Sequence, residues 1–500
     1  MATYHIKKGY NVPMKGAPAK KKEVLPVPKT LGICPTDFQG IKPKLTVKLN
    51  DKVKIGSPLF FDKRNPEVQF VSPCAGCVSA IHYGARRKIL DIAITLDKEE
   101  EAIDFKAFTE KALTSASAGD IKEVMLKAGL WPFIRQRPYN CIAHHEDKPK
   151  AVFVNCMDTA PLACDPVYAL SEEGEAFALG IEILKKLAGD NIHVVTSPQG
   201  KASFSNARGV HLHEFTGKHP AGLVGTHIAK IDPINKGETV WVINARDTVT
   251  IGQFFQTGSF PTKRIIAVTG NGTKEQKYLE VRAGAKLEDI LKGNLQEGTQ
   301  RVISGNPLTG VQRSKESFLG VYDSSVTVIP EPTGKKFIGW MLPGFNRPSY
   351  TRTFLSRLIP GKLFSYDTNL NGGQRTMVQS GLFENLVALD VHPEFLVKAI
   401  LAGDIELMEK LGILECDEED FALCSYVSPS KIEISSIIRD GLELMESMLE
   451  THWTPKDSCP LLSWRLCQRS FLAPTTPVFK TLWLLVNPLN MWVNCLFPVL

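Results

Sequence analysis

A multidomain α/β protein is what this sequence predicts, on three observations. The chain has 500 residues, more than one hydrophobic core ordinarily serves, so three or four domains are expected. Its middle reads AVFVNC (151–156), then SEEGEAFALGIEILKKLAGD (171–190), then IHVVTS (192–197): strand, helix, strand, the pattern of a right-handed parallel βαβ unit. Its later part is helical in period, through PEFLVKAILAGDIELMEKLG and SKIEISSIIRDGLELMESML.

Composition sets the class. An apolar share of 43% and a charged share of 22% describe an ordinary globular chain. A net charge of +6 over this length is too dilute for a nucleic-acid partner, which needs a concentrated basic face. The clearest basic run, Lys20–Lys22, reads as a solvated loop. No signal peptide is expected, because MATYHIKKGYNVP has no apolar core after its charges. The eleven cysteines read as reduced thiols.

In chain order, Asp51 to Phe60 alternates toward a strand, with Gly56 supplying a turn. A second strand, Val68 to Val71, leads through Ser72-Pro73 and Ala75-Gly76 to Val78-Ser79-Ala80-Ile81. This arrangement resembles the barrel-sandwich hybrid of biotinyl and lipoyl carriers, which hold a modifiable lysine at a hairpin tip between methionines. The tip here, Asp62-Lys63-Arg64-Asn65-Pro66, lacks those methionines, so Lys63 is expected to be a charged tip residue. Cys74 and Cys77 bracket Gly76, read as a turn glycine. Zinc needs four ligands and the chain has no second C-x-x-C; a thioredoxin-type pair needs a helix N-terminus, and this context is β. Both are expected to be structural thiols.

In the helix of the βαβ unit, Phe177, Ile181, Leu184 and Leu187 share a face and Gly189 follows the end. A Rossmann-like domain is expected. VRAGAKLEDILKG and TQRVISGNPLTG resemble the small β-grasp module called SLBB, with its helix and GxPxxG turn. The Pro- and Gly-bearing IPEPTGKKFIGWMLPGFNRPS reads as a linker. Beyond Asn371-Gly372-Gly373, the residues Ile434, Ile437, Ile438, Leu442, Met445 and Leu449 make one apolar stripe, expected as packed core.

Seven separated stretches, IKKGYNVPMKGAP, the sandwich region, GLWPFIRQRP, GKHPAGLVGTHI, RVISG, NGGQR and DEEDFALC, occur in order between about residues 4 and 446. Together they resemble the A-subunit family of sodium-translocating NADH:quinone oxidoreductases. The domain order is similar to the Rnf C subunit and the flavoprotein subunit of complex I. The resemblance implies a peripheral subunit on the cytoplasmic face of the bacterial inner membrane, in a complex of six. That complex oxidises NADH, reduces ubiquinone and exports Na+, with flavins and a [2Fe–2S] centre on other subunits. The other five subunits are the implied partners, the membrane-embedded B-subunit in direct contact, with a quinone as a candidate ligand. A free-standing soluble flavin-dependent oxidoreductase is the alternative. The expected bodies are 1–105 (sandwich), 106–258 (Rossmann-like), 259–330 (SLBB-like β-grasp), a linker at 331–370, 371–446 (helical, ferredoxin-like, lacking iron–sulfur ligands) and 447–500, a tail outside the resemblance.

Whether the chain can hold a cofactor is read from its residues. The complex I flavoprotein has a glycine-rich loop that lets the backbone approach the flavin closely. The corresponding stretch here, Ala128 to Pro138, keeps one glycine; Trp131 and Phe133 fill the space, and Pro132 and Pro138 remove donors. Arg135 and Arg137 are expected in an interface or solvated role. An iron–sulfur cluster needs C-x-x-C-x-x-C with a further C-P. FALCSYVSPSK offers Cys424 alone, with Ser428-Pro429 at the C-P place and Cys416 too distant. In VHLHEFTGKHPAGLVGTHI, His211 and His213 fall on one strand face, Glu214 on the other, and the stretch around His219 and His227 reads as loop and strand. No catalytic, cofactor-binding or metal residue is therefore assigned. A Rossmann-like sheet without its dinucleotide still has a cleft at its strands' carboxyl ends, expected to be aromatic and apolar and suited to a quinone headgroup.

From Ser447 the composition changes. Trp453, Trp464, Trp483 and Trp492 are four of the seven tryptophans, and LWLLVNPLNMWVNCLFPVL carries no charge. Pro488 and Pro498 break a helix, and Asn487, Asn490 and Asn494 are costly in lipid. A foreign extension such as a shifted reading frame, a membrane-contacting anchor and a packed accessory segment are the three readings of the tail.

Overall fold

The computed structural model describes residues 2–105, 116–332, 334 and 341–451. Seven strands form the central sheet, in the order Ala2–Ile6, His211–Gly217, Ile192–Thr196, Ala151–Asn155, Val240–Asn244, Arg135–Arg137, Cys141–Ile142. The first five are parallel, and Arg135–Arg137 runs antiparallel to both its neighbours. The inner strands Ile192–Thr196, Ala151–Asn155 and Val240–Asn244 read as apolar runs because both faces are covered. Val152, Val154, Val194, Trp241 and Ile243 pack in one cluster with the helices Gly174–Ala188 and Ala245–Thr257. The alternate residues Phe153, Val195 and Val242 pack with the helix Val224–Ile231 on the other face. Taken in sequence order, the strands of 151–244 lie third, second, first, fourth, a doubly wound arrangement.

The expected helix after Ala151–Asn155 is present, bounded by Gly189 at φ +89°, with Phe177, Ile181 and Leu184 buried and Leu187 partly so. Its packing on Ala245–Thr257 is backbone-close. A Cβ on Gly180 would stand 2.2 Å from the Thr248 carbonyl, and one on Gly252 would stand 1.8 Å from that of Ala176.

The N-terminus stitches bodies together. Ala2–Ile6 is the outer strand of the central sheet, whereas Lys22–Val24 joins the β-grasp sheet beside Lys277–Arg282. The basic run read as a solvated loop is therefore partly a strand, because its backbone finds that edge; Lys20 also meets Asp165 at 3.0 Å.

The sandwich consists of Thr30–Ile33, Ile89–Leu96, Gly76–Tyr83 and Lys52–Val53 in one sheet and Pro43–Leu45, Pro58–Asp62 and Gln69–Val71 in the other. Leu59, Phe60, Phe70, Val78 and Ile92 fill its interior, with the rings of Phe60 and Phe70 stacked at 4.5 Å. Gly56 makes the expected turn at φ +86°. Gly76 does not make a turn: it opens a strand, and glycine is required because a Cβ would lie 2.0 Å from the Thr95 carbonyl.

The β-grasp sheet runs Val311–Arg313, Gln300–Ser304, Ser325–Pro330, Lys263–Thr269, Lys277–Arg282, Lys22–Val24. Its helix is a single turn, Leu287–Ile290, and the GNPLTG turn is held by Asn306 Oδ1, which accepts from the amides of Leu308 and Thr309. In the C-terminal body, Pro393–Ala402, Ile405–Lys410, Ala422–Val427 and Ile434–Thr451 surround Leu396, Phe421, Ile434, Ile438 and Leu442. Ile437 is half-buried and Met445 buried, as the stripe requires; the Leu449 side chain lies outside the described residues. The segment read as a linker is tied down at its end, where Phe364 bridges to Met14 and the hydroxyls of Tyr366 and Tyr426 are 2.9 Å apart. No helix among the described residues is long and apolar enough to cross a membrane. The tail from 452 onward lies outside them.

Candidate functional site

The strand order of the doubly wound sheet turns between Ala151–Asn155 and Val240–Asn244: the first leads to its neighbour Ile192–Thr196, while the second leads through Ala245–Thr257 out of the sheet to Lys263–Thr269 of the β-grasp body. A cleft of about 1070 Å³ opens at the carboxyl ends of these two strands, as the sequence predicts for such a sheet. Asn155, Asp158, Asn244 and Arg246 come from the α/β body, and Arg264 and Tyr322 from the β-grasp body. The expected apolar, aromatic lining is not what forms. Tyr168, Phe260 and Leu223 share the wall with Arg135, Asp158, Glu173, Arg264 and Glu419, because three bodies meet here through charged side chains.

The charges are organised around the loop 320–324. Arg246 donates through Nη1 to the Asp323 carbonyl at 2.9 Å and through Nη2 to that of Val321 at 2.9 Å, while pairing with Asp247. Arg264 donates to the carbonyls of Val321 and Gly320 at 2.9 and 3.0 Å. Burial, followed by the neighbouring Arg246, pushes the Arg264 guanidinium down to about 9. The Tyr322 hydroxyl donates to the Pro132 carbonyl at 2.6 Å, and the Arg135 guanidinium lies 5.3 Å above the Tyr322 ring. From the sandwich, Asp37 accepts the Val321 amide at 3.0 Å and pairs with Arg313. Asp158 is exposed to solvent in the cleft, but the protein walls around it push its carboxyl up to about 6, opposed by the Ala160 amide that it accepts.

Sequence reasoning assigned none of Asp158, Arg246, Arg264 or Tyr322. The signal for the first two was present. Asp158 follows the end of AVFVNC, and Arg246 opens the helix after VWVIN, the positions at which doubly wound sheets present side chains to a crevice.

The stretch set against a flavin loop is packed interior. Trp131 is wholly buried, donates through Nε1 to the Ala143 carbonyl at 2.7 Å and meets Trp241 edge-on at 5.5 Å. Pro132 and Phe133 are buried with it. Residues of this size and position do not fit a flavin. Arg135 lines the cleft, whereas Arg137 takes the interface role of the two expected, not the solvated one. It is buried against Asp417 at 3.1 Å and Glu419 at 2.7 Å, so its interface lies within the chain. Burial opposes its charge, and the carboxylates of Asp417, Glu419 and Asp420 outweigh that opposition and raise its pKa.

Cys416 and Cys424 are each sealed in the helical core, where burial raises both thiols well above their ordinary range. They do not fit a cluster, which draws on grouped thiolates. Among the described residues no group of three or more His, Cys, Asp or Glu side chains is placed to hold a metal ion.

His211 and His213 do share a face, and both meet His193 of the next strand: His193 Nδ1 lies 3.0 Å from His213 Nε2, and its ring is 5.2 Å from that of His211. The GTHI stretch is helical rather than strand, within Val224–Ile231, since the chain must cross the sheet between two parallel strands. His227 is buried there with Nε2 donating to the Ala221 carbonyl at 2.8 Å. His219 lies beside Thr159 at 3.1 Å.

Lys63 stands at the tip of the sandwich hairpin, as expected, between Pro58–Asp62 and Gln69–Val71. Cys74 is buried and Cys77 half-buried on the strand Gly76–Tyr83, and both are free thiols.

These features define the class: a chain of sandwich, doubly wound α/β, β-grasp and helical bodies joined by a charged cleft. Comparison with known families adds the rest. The NqrA N-terminal barrel-sandwich hybrid domain matches residues 4–97, the NqrA second alpha/beta domain residues 116–260, and the NQRA C-terminal (SLBB) domain residues 265–315. The A-subunit of the Na(+)-translocating NADH-quinone reductase of Neisseria meningitidis serogroup A is 38% identical over 442 residues, 88% of this chain and 99% of its own length. Its namesake in Pseudomonas aeruginosa is 37% identical over the same shares. A NAD+-reducing [NiFe]-hydrogenase structure covers 74% of this chain and 70% of its own at 13% identity, but its TM-score of 0.34 is too low to bear on the fold. The chain belongs to the A-subunit family of Na(+)-translocating NADH-quinone reductases.

Proposed function

We propose that this chain is the peripheral, cofactor-free A-subunit of a six-membered sodium-pumping complex, seated on the cytoplasmic face of the bacterial inner membrane against the membrane-embedded B-subunit. In this reading flavins and a [2Fe–2S] centre on other subunits carry electrons from NADH to ubiquinone while Na+ is exported. This chain's part is to hold the assembly and to shape its quinone-reducing end. The packed Trp131 is the observation that carries the cofactor half, because its indole occupies interior that a flavin loop would leave open to ligand. The strand order third, second, first, fourth supports the Rossmann-like part of this reading; kinship with the complex I flavoprotein and loss of its cofactor belong to the proposal. For the quinone half, Arg135 offers a donor to a ring carbonyl and Tyr322 a flat neighbour, so the cleft suits a headgroup better than an isoprenoid tail. The test is to purify the tagged chain alone and within native membranes. Alone it is expected colourless and iron-free; from membranes it should bring five partners. A stoichiometric flavin surviving gel filtration of the isolated chain would overturn the reading in favour of a free-standing flavoprotein.

A further inference from the structure

Residues 341–366 fold back on themselves. The Leu355 amide donates to the Pro343 carbonyl at 3.0 Å, and Ser356 Oγ to that of Arg347 at 2.6 Å. Lys362 Nζ donates to the Phe345 carbonyl at 2.9 Å and to Asn346 Oδ1 at 2.7 Å, and the Arg347 guanidinium lies 5.8 Å over the Phe354 ring. The fold-back leaves large apolar side chains outside: Met341, Leu342, Phe345 (54% exposed), Leu355, Leu358 (66% exposed) and Ile359. Between them stand Arg347, Arg352, Arg357 and Lys362, and residues 341–366 contain no aspartate or glutamate. Among the described residues none of these four cations is in an ion pair.

An apolar surface of this kind needs a partner, since exposed apolar patches otherwise invite aggregation. We propose that this loop docks on an anionic lipid interface, its apolar side chains entering the boundary between headgroups and acyl chains while the four cations meet lipid phosphates. Protein interfaces concentrate apolar area in a core and place charge at the rim. Here the two kinds alternate along one loop, the pattern of interfacial membrane binding, where apolar burial and attraction to anionic headgroups add. The proposal stands on this surface and does not need the reading given under the proposed function.

The test is co-sedimentation of the full-length chain with phosphatidylcholine vesicles, with and without phosphatidylglycerol. Binding is expected with the anionic lipid and should fall as salt is raised. Arg352→Gln with Arg357→Gln should weaken it by about 25-fold, at about fivefold for each cation removed. Phe345→Ser with Leu358→Ser should weaken it as well, with the melting temperature unchanged because both side chains are exposed. Arg352→Lys with Arg357→Lys should retain it. Equal binding to neutral and anionic vesicles would overturn the proposal, as would variants that sediment like the parent. Glutamine variants that keep vesicle binding but no longer co-purify with membrane proteins of the complex would replace lipid with an acidic protein surface.

Discussion

Arg137 reaches from the antiparallel strand Arg135–Arg137 of the central sheet to Glu419 of the helical body, Nη2 to Oε1 at 2.7 Å. Around this contact, Asn140 donates to Asp417 at 2.8 Å, and Arg439 holds Asp417 and Glu418 while donating to the Tyr139 carbonyl at 2.8 Å. The acidic DEED stretch is thus the clasp between the helical and α/β bodies. Removing one partner from a buried network leaves charge uncompensated and costs about 3–5 kcal/mol. Arg137→Met should lower stability to denaturant by that order. An unchanged urea midpoint would show that the clasp does not hold the bodies together.

The helices Gly174–Ala188 and Ala245–Thr257 meet through Gly180 and Gly252. Either alanine would put a methyl within 2.2 Å of a carbonyl oxygen on the facing helix. Backbone cannot yield as a flexible side-chain tip can, so the helices must separate. Gly180→Ala and Gly252→Ala should each cost about 1–3 kcal/mol, read as a lowered melting temperature, although alanine is the better helix former. A gain in stability from either would mean that the helices are not in backbone contact.

What was legible in the sequence follows from the range of the forces involved. The helix 174–188 and the strands of 151–196 come from local periodicity, so their core residues were readable. The outer strand Ala2–Ile6 was not, because its partner His211–Gly217 lies about two hundred residues away and nothing in ATYHI names it. Nothing local marks Gly180 and Gly252 as contact points, because the carbonyls they meet belong to the facing helix. For Arg137 the sequence left an interface and a solvated role open, and only the fold of Asp417 and Glu419 over it decides between them. The cleft's position was readable from the βαβ order, but its charged roof comes from the β-grasp body, which no local pattern places there.

Four histidines tie stability to pH. Burial lowers His193, His219 and His227 to about 4, with His213 and His211 adding to the effect at His193; burial, followed by His211, lowers His213. In the unfolded chain such groups titrate near about 6.5, so between that value and about 4 the unfolded state binds more protons. Stability is therefore full above that window and is lost as pH falls through it, each neutral histidine adding a slope of about 1.4 kcal/mol per pH unit. Melting temperatures measured at about pH 7.5 and about pH 5.5 should differ, and His227→Gln, which can still donate to the Ala221 carbonyl, should narrow the gap. A gap of the same size in the variant would remove His227 from the account.

Cys74 and Cys77 should behave as unlike, unpaired thiols. Ser72 Oγ donates to the Cys74 carbonyl at 2.6 Å, while burial, partly offset by Ser72, pushes the Cys74 thiol up to about 12. Almost none of it is thiolate at neutral pH, and thiolate is the reactive form. Cys77 sits half-buried on the strand. A thiol reagent added to the native chain is expected to label Cys77 and to spare Cys74 until the sandwich is unfolded. Cys74→Ser places a hydroxyl in an apolar site and should cost about 1–3 kcal/mol, whereas Cys77→Ser should be near neutral. With both replaced, quinone reductase activity of the assembled complex should stay near that of the parent, since neither sulfur does chemistry. If the assembled double variant lost most of that activity, or if both thiols of the native chain resisted the reagent until a reductant or chelator was added, the pair would be a redox or metal site after all.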